Sequence, residues 1–471
     1  MRITSMSVHS IVIALFFLSA STFSGQTAKV YVSSKAGDRI ATKPDLQFSD
    51  AQPANGATFQ INDAVTFQKI DGFGASIMEA GIMTLNTLSP DKQEEVLRAL
   101  FDAKDGAGYT AMKTPLAGTD FQSAGPWFTY DDTPGDVELK NFSVERDFGV
   151  NGVGTYILRA RKYGNFALQA PIDYPPDWML FDVKKNQDVQ PKYYPVLAKY
   201  FMRYLEEYKK HGIVVDYLSL FNEPEEVYTK IKYPEIKVLL RDHVGPALQQ
   251  SGLTTKLMMS EAPERGVAYK RYPVVLDDSE ARKFVSAVAY HGYDFKNYDK
   301  IAKLEKRYSD LKFWMDELCY AYEAGYPKNK KLPIYEFDDG DVWGNVIFSD
   351  LEAGTSAWIY WNAILDETGG PWAISPIHGN PDPNVQHPVV IINKSTHEIT
   401  YTGTYYYLAH FSKFVRPGAT RVQTAGKAGG VRVGVSSRGR WLRHADPQQP
   451  GAGGSRQLGI QRAQPPPWSS G

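Results

Sequence analysis

Cysteine is all but missing from this chain of 471 residues, where Cys319 stands alone. An internal disulfide framework is therefore excluded, and the fold must be held by core burial. The lone thiol has no histidine beside it in sequence and is expected to be a small buried apolar residue. Excess charge of one sign is missing too. With 52 Lys and Arg against 53 Asp and Glu, the formal net charge is -1, which disfavours binding to nucleic acid or to an anionic membrane surface. The glycines of Gly72-Phe73-Gly74-Ala75-Ser76 lack the GxGxxG spacing, so an open, doubly wound nucleotide-binding sheet finds little support. A strongly apolar run opens the chain, from Ile11 to Leu18, after Arg2 and before the small residues Ser19, Ala20, Ser21 and Ser24. This reads as a secretory signal over residues 1–26, with no cysteine to carry a lipid. The mature protein is then expected to be secreted or periplasmic, without stable membrane insertion once the signal is removed.

What the chain does have is a repeating alternation of short apolar strand and amphipathic helix. Eight such strands can be counted: Ile70 to Ile77, Tyr109 to Leu116, Phe166 to Ala170, Val214 to Phe221, Lys256 to Ser260, Ser286 to Tyr290, Leu311 to Glu317 and Thr355 to Tyr360. The pattern predicts an α/β chain whose core is a closed (β/α)8 TIM barrel over residues 67–385. The helix after the third strand places Leu197, Tyr200, Phe201, Tyr204, Leu205 and Tyr208 at intervals of three and four, giving it one apolar face that ends at Gly212.

A β-sandwich side domain is expected from the two flanks, residues 27–66 and 386–435. Lys29 to Ser33 alternates like a strand, Val389 to Asn393 and Glu398 to Thr402 read as a hairpin, and a short helix from Tyr405 stops before Pro417-Gly418. Residues 436–471 are dominated by Gly, Pro, Arg, Gln and Ser and show no alternating strand. The expectation is an aberrant or disordered tail, of the kind a shifted reading frame would produce, with the last strands of the side domain missing.

Two strand ends carry the chemistry. The run Val214 to Phe221 is stopped by Asn222-Glu223-Pro224, which puts Glu223 at a C-terminal strand tip, and the seventh strand puts Glu317 at another. In a barrel the C-terminal tips form the active site, and paired carboxyl groups there suit glycosidic bond hydrolysis, one as proton donor and one as nucleophile. Further candidates follow the other strands: Asp120 the second, Trp178 the third, His291 and Tyr293 the sixth, Trp361 and Asn362 the eighth. Core packing is nonetheless the stronger reading of Trp178, as it is of Trp314 and Trp358. Glu225, Glu226 and Glu261 read as solvated loop charges. Aromatic residues make up 13% of the chain, which would suit stacking on sugar faces, although core packing accounts for most of them.

Several of these pieces stand in one order: GFGASIMEA, GTDF, PPDW, NEP, HGY, WMDE, WIYWN, TGGPW and YYYLAHFSKFVRPGA. From about Phe67 to Ala419 the chain resembles the glucosylceramidase-like members of glycoside hydrolase family 30. The resemblance implies a retaining hydrolase of β-linked oligosaccharide, polysaccharide or glycolipid, needing no metal or other cofactor, with Glu223 as acid/base and Glu317 as nucleophile. It also implies that Asn222 binds the sugar 2-hydroxyl and Asp120 the outer hydroxyls, that Tyr293 bonds the nucleophile while His291 orients the site, and that Trp361 walls the sugar beside Asn362. Two positions depart from the family, Lys113 for its usual arginine and Asp173 for a frequent tryptophan, so sugar identity stays open. Endo-β-1,6-glucanase or galactanase action is the alternative within the class. A non-catalytic carbohydrate-binding barrel, or a metal-dependent barrel using Asp120, Glu223, Glu261 and Glu317, are alternatives outside it.

Overall fold

The computed structural model describes residues 27–47, 57–122, 128–183, 186–225, 229–320, 337, 339–370, 386–426, 434, 436–437 and 456–460. Eight parallel strands form a closed barrel: Gly72–Ala75, Ala111–Lys113, Ala167–Pro171, Tyr217–Ser219, Lys256–Ala262, Val285–His291, Lys312–Glu317 and Ala357–Tyr360. Each pairs with the next in sequence, and the eighth closes on the first in the register Ala357 to Gly72 through Tyr360 to Ala75. All eight expected strands are present, several shorter than the apolar run that announced them, because the ends of those runs continue into the loops at the barrel's rims.

Helices pack around the barrel by burying one stripe each. Tyr194–Lys210 buries Leu197, Tyr200, Phe201, Tyr204, Leu205 and Tyr208, the stripe read from its spacing. Each such side chain contributes about 1.5–3 kcal/mol through removal of apolar area from water. A separate small cluster fills the barrel interior, where Ala111, Ala287, Ala289 and Ala357 leave room for Trp314 and Tyr217, their rings 4.7 Å apart between centroids. Trp314 and Trp358 are therefore core residues. The indole N–H of the first donates to Asp71 and that of the second to Asp350.

The flanks build antiparallel sheets from amino- and carboxyl-terminal strands. Thr27–Val32 pairs with Ala41–Gln47, and Val390–Ile392 pairs with Ile399–Tyr401 as the expected hairpin, extended by Ile364–Asp366. The larger sheet centres on Ala57–Lys69, a strand of 13 residues lying between Thr420–Ala425 and Arg456–Ile460. The Gly-, Pro- and Asp-rich stretch before Ala64 contributes Ala41–Gln47 and the start of Ala57–Lys69 to these sheets. One expectation is corrected here. Residues beyond Val435 do supply strand: Ser436–Ser437 pairs with Thr420–Ala425, and Arg456–Ile460 runs antiparallel to Ala57–Ile61. Leu458 and Ile460 stand two apart, the strand period, and backbone partners on an open sheet edge outweigh a poor local composition. The signal segment and the rest of residues 438–471 lie outside the described residues, as do Val431, Val433, Val435 and part of the TGGPW motif.

Barrel closure allows no side chain at Gly74. A Cβ built there falls 1.8 Å from the carbonyl oxygen of Ala111 on the neighbouring strand. Gly74→Ala is expected to cost about 3 kcal/mol or more, since backbone of a paired strand must move. The urea midpoint measures this, and a wild-type midpoint would show that the two strands do not approach so closely.

Candidate active site

The fourth strand delivers its carboxyl through an unusual backbone. The N–H of Asn222 donates to the carbonyl of Ile172 at 2.9 Å, and that of Glu223 to the carbonyl of Glu261 at 2.9 Å, so the tip is pinned on both sides. Glu223 has φ +43°, in the left-handed region that a side chain normally avoids, and Pro224 follows it. Such strain persists only where surrounding bonds fix it, and it tends to mark functional positions. His291 and Glu317 end neighbouring strands and are paired in register. One oxygen of Glu223, one of Glu317 and a ring nitrogen of His291 all lie within 4.8 Å of one another.

Beneath the pair lies a dry polar layer. The Lys113 ammonium, its side chain 1% exposed, donates to Glu261 Oε2 and Glu317 Oε2, both at 2.6 Å, and to Asn222 Oδ1 at 3.1 Å. Burial pulls this ammonium down, but the charges of Glu261, Glu317 and Asp316 hold it well above its ordinary value. His291 Nδ1 lies 2.7 Å from Glu223 Oε1, and its Nε2 lies 3.3 Å from Glu261 Oε2. Burial and Lys113 pull the imidazole down, yet Glu317 and the bonds to Glu223 and Glu261 raise it to about 10. Protonated, the ring can donate at both nitrogens. Tyr293 donates its hydroxyl to Glu317 Oε1 at 3.0 Å. Gln169 donates its amide to Glu261 Oε1 at 2.6 Å and to Asp316 Oδ2 at 2.5 Å. Between those two acids the charge is unequal. Burial raises the Glu261 carboxyl, but Lys113 and His291 bring it down to about 2, whereas burial and the adjacent Glu261 push Asp316 well up.

Two triads could offer metal ligands, Glu223 with His291 and Glu317, and Glu261 with His291 and Asp316. The donor chemistry fits a cation poorly, because His291 is protonated and the Lys113 ammonium already supplies positive charge to Glu261 and Glu317. Two acids that close, on opposite strands and with separate hydrogen-bond partners, are instead suited to proton transfer and nucleophilic attack at one centre.

Residues 70–415 match the model of the glycosyl hydrolase family 30 TIM-barrel domain. The chain belongs to glycosyl hydrolase family 30. It is 27% identical over 387 residues to the lysosomal acid glucosylceramidase of Mus musculus, covering 78% of this chain and 72% of that protein. It is 25% identical over 393 residues to the endo-1,6-beta-D-glucanase of Neurospora crassa, covering 79% and 77%. Among solved structures, SrfJ from Salmonella typhimurium shares the fold with a TM-score of 0.75 and 21% identity, covering 86% of this chain and 88% of that one.

Within this family 30 barrel, most sequence candidates come together. Glu223, Glu317, Asn222, His291 and Tyr293 form the connected set just described. Trp361 is buried against it, its ring centroid 5.1 Å from Lys113 Nζ and edge-on to Phe121. Asn362, at φ +69°, donates its side-chain amide to Gln386, which makes it a fixed part of the wall. Asp120 accepts a bond from Thr119 at 3.0 Å and faces Asp173, whose buried carboxyl is pushed well up by burial and by the Asp120 charge. Trp178 goes elsewhere: its indole N–H donates to the carbonyl of Asp131 and its ring packs on Tyr193. Cys319 is buried as expected, its Sγ 3.8 Å from the Tyr293 hydroxyl.

Glu261 is the principal miss. It is fully buried and doubly paired rather than a solvated loop charge, because the fifth strand runs on through it to Ala262. Glu225 is also paired, to Arg271 at 2.6 Å, and Glu226 lies outside the described residues. The available signal was Lys113 and Gln169, polar residues inside apolar barrel strands, which need buried partners.

Lys113 makes this layer sensitive to loss of one charge. Lys113→Met leaves Glu261 and Glu317 buried without their cation and is expected to cost about 3–5 kcal/mol, whereas Lys113→Arg keeps the charge and should cost less. Chemical denaturation of the two variants measures the difference. Equal midpoints would mean that the ammonium's charge is not what the carboxylates require.

Proposed function

We infer that the protein is a secreted retaining β-glycoside hydrolase that acts by double displacement through a glycosyl-enzyme. One observation carries this reading: an oxygen of Glu223 and an oxygen of Glu317 lie within 4.8 Å of each other. Retaining pairs stand ~5–5.5 Å apart, whereas inverting pairs need ~6.5–9.5 Å to admit a water between carboxyl and sugar. The roles follow from the donors. Glu317 receives bonds from an ammonium and a phenol, which fix its carboxyl in position to attack the anomeric carbon. Glu223 receives one imidazole bond at Oε1, leaving Oε2 to carry the proton that the leaving oxygen takes. In the second step Glu223 removes a proton from water, which then releases the sugar from Glu317.

For substrate, a glucosylceramide-type or other β-glucoside is the leading reading, supported by the name of the mouse relative. The Neurospora relative's name favours a β-1,6-glucan as the second. Asp120 is the group to hold outer hydroxyls, and Asn222 the 2-hydroxyl. Secretion rests on the amino-terminal signal pattern.

Azide separates the two roles. Glu223→Ala, given an aryl glycoside with a good leaving group, is expected to form the glycosyl-enzyme and to regain turnover with azide as the β-glycosyl azide. Glu317→Ala should lose nearly all turnover, and azide should give the α-product. Proton NMR of the products reads the anomer, and the opposite pattern would reverse the assignment.

The two departures from the family should act on recognition rather than on stereochemistry. Lys113→Arg and Asp173→Trp are expected to change the ratio of kcat/KM between aryl β-glucosides and aryl β-xylosides or β-galactosides, with retention kept. Unchanged ratios in both variants would remove these positions from sugar recognition.

A further inference from the structure

Glu261 touches neither Glu223 nor Glu317 through its side chain, yet it bonds to the cation that serves each. Its Oε2 accepts from Lys113, which reaches Glu317 at 2.6 Å, and lies 3.3 Å from His291 Nε2, whose other nitrogen reaches Glu223 at 2.7 Å. Its backbone carbonyl accepts the Glu223 N–H at 2.9 Å and its own N–H donates to the carbonyl of Phe221 at 3.0 Å, so the same residue also pins the strained tip that carries Glu223. Its second oxygen is held by Gln169 at 2.6 Å. A fully buried carboxylate with this set of partners has little freedom to move.

We propose that Glu261 is a positioning residue for the hydrolysis, a fixed anion shared by Lys113 and His291 that keeps both cations charged and aimed at the two reacting carboxyls. This rests on the reading of Glu223 as acid/base and Glu317 as nucleophile. The groups facing Glu261 come from every neighbouring element: Lys113 from the second barrel strand, Gln169 from the third, His291 from the sixth, Asp316 and Glu317 from the seventh, and Tyr272 from the helix Arg265–Leu276. Asp316 is not a substitute anion, since it shares Gln169 with Glu261 and is the member of that pair pushed towards its neutral form.

The sign of the consequence is fixed by charge. With Glu261 ionised, Lys113 and His291 face two anions, Glu261 and Glu317. Removing the charge at Glu261 takes away one of the anions that hold the proton on His291, so the ring loses that proton at lower pH. The alkaline limb of kcat should then move to lower pH.

The test uses the full chain and an aryl β-glycoside that the wild type hydrolyses. Glu261→Gln is expected to shift the alkaline limb of kcat down by about one pH unit and to lower kcat at the optimum by about 10- to 100-fold, with KM changed by less than about threefold. Glu261→Asp keeps the charge but withdraws it by one methylene. It should leave the limb in place while kcat falls. Asp316→Asn should move the limb in neither direction.

A uniform loss at all pH values for Glu261→Gln, or wild-type kcat in both Glu261 variants, would overturn the proposal. If Glu261→Gln does not fold by circular dichroism, the Glu261→Asp profile decides alone: an unmoved limb with reduced kcat supports the role, and unchanged kcat or a limb moved down overturns it. Failure of the functional reading itself would look different, because the wild type would then hydrolyse no aryl β-glycoside, or Glu317→Ala would retain its turnover.

Discussion

A single ammonium buried in the barrel mouth is the constraint on which the site depends. Lys113 lies on a strand of three residues, buried throughout, where an unpaired charge would be prohibitively costly. Its three protons are matched by three acceptors, Asn222, Glu261 and Glu317, each on a different strand end. The pairing therefore does more than cancel charge. It fixes the relative positions of the fourth, fifth and seventh strand tips, and through them the spacing of Glu223 and Glu317. Around it, the barrel supplies walls but few alternatives, since Trp361 covers one side of the ammonium and the alanine-lined interior lies away from the mouth.

The layer beneath the two carboxyls is close to balanced in charge. Two cations, Lys113 and His291, face two anions, Glu261 and Glu317, and Asp316 is pushed towards neutrality by its anionic neighbour. A third negative group would be unpaired in a low-dielectric surrounding, and a missing cation would leave one carboxylate in the same position. On the proposed roles, proton transfer from Glu223 to the leaving oxygen would coincide with loss of the Glu317 charge to the anomeric carbon, so the two changes would offset each other electrostatically.

The barrel was legible because its signals are repetitive. Eight apolar runs with helices between them leave little freedom in the core, and Glu223 and Glu317 stand at the points where two of those runs stop. Partners were harder to read. Glu261 looked like a loop charge because a carboxylate directly after Met258-Met259-Ser260 marks a strand end as readily as its continuation, and only the tertiary position of Lys113 settles which. Trp178 sits in a motif with the right order, but its indole is taken by the loop at Asp131. Arg456–Ile460 escaped notice for a different reason: its pairing depends on an exposed edge of Ala57–Lys69, nearly 400 residues earlier, and sheet edges recruit backbone rather than side chains.

A lysine at position 113 also has a consequence for the neighbouring loop ends. An ammonium has three donors on one point, and here all three are directed at Asn222, Glu261 and Glu317, whereas a guanidinium spreads five over a plane. None is left for the neighbouring loop ends. Asp173, which feels the charges of Lys113, Asp120 and Glu317, receives no hydrogen bond from the lysine and is pushed well up by burial and by Asp120. Asp173 and Asp120 set two carboxyl groups side by side, where a tryptophan would present only an apolar face. A compact cation thus confines its positive charge to Asn222, Glu261 and Glu317, and the space beside it is left to an acid pair.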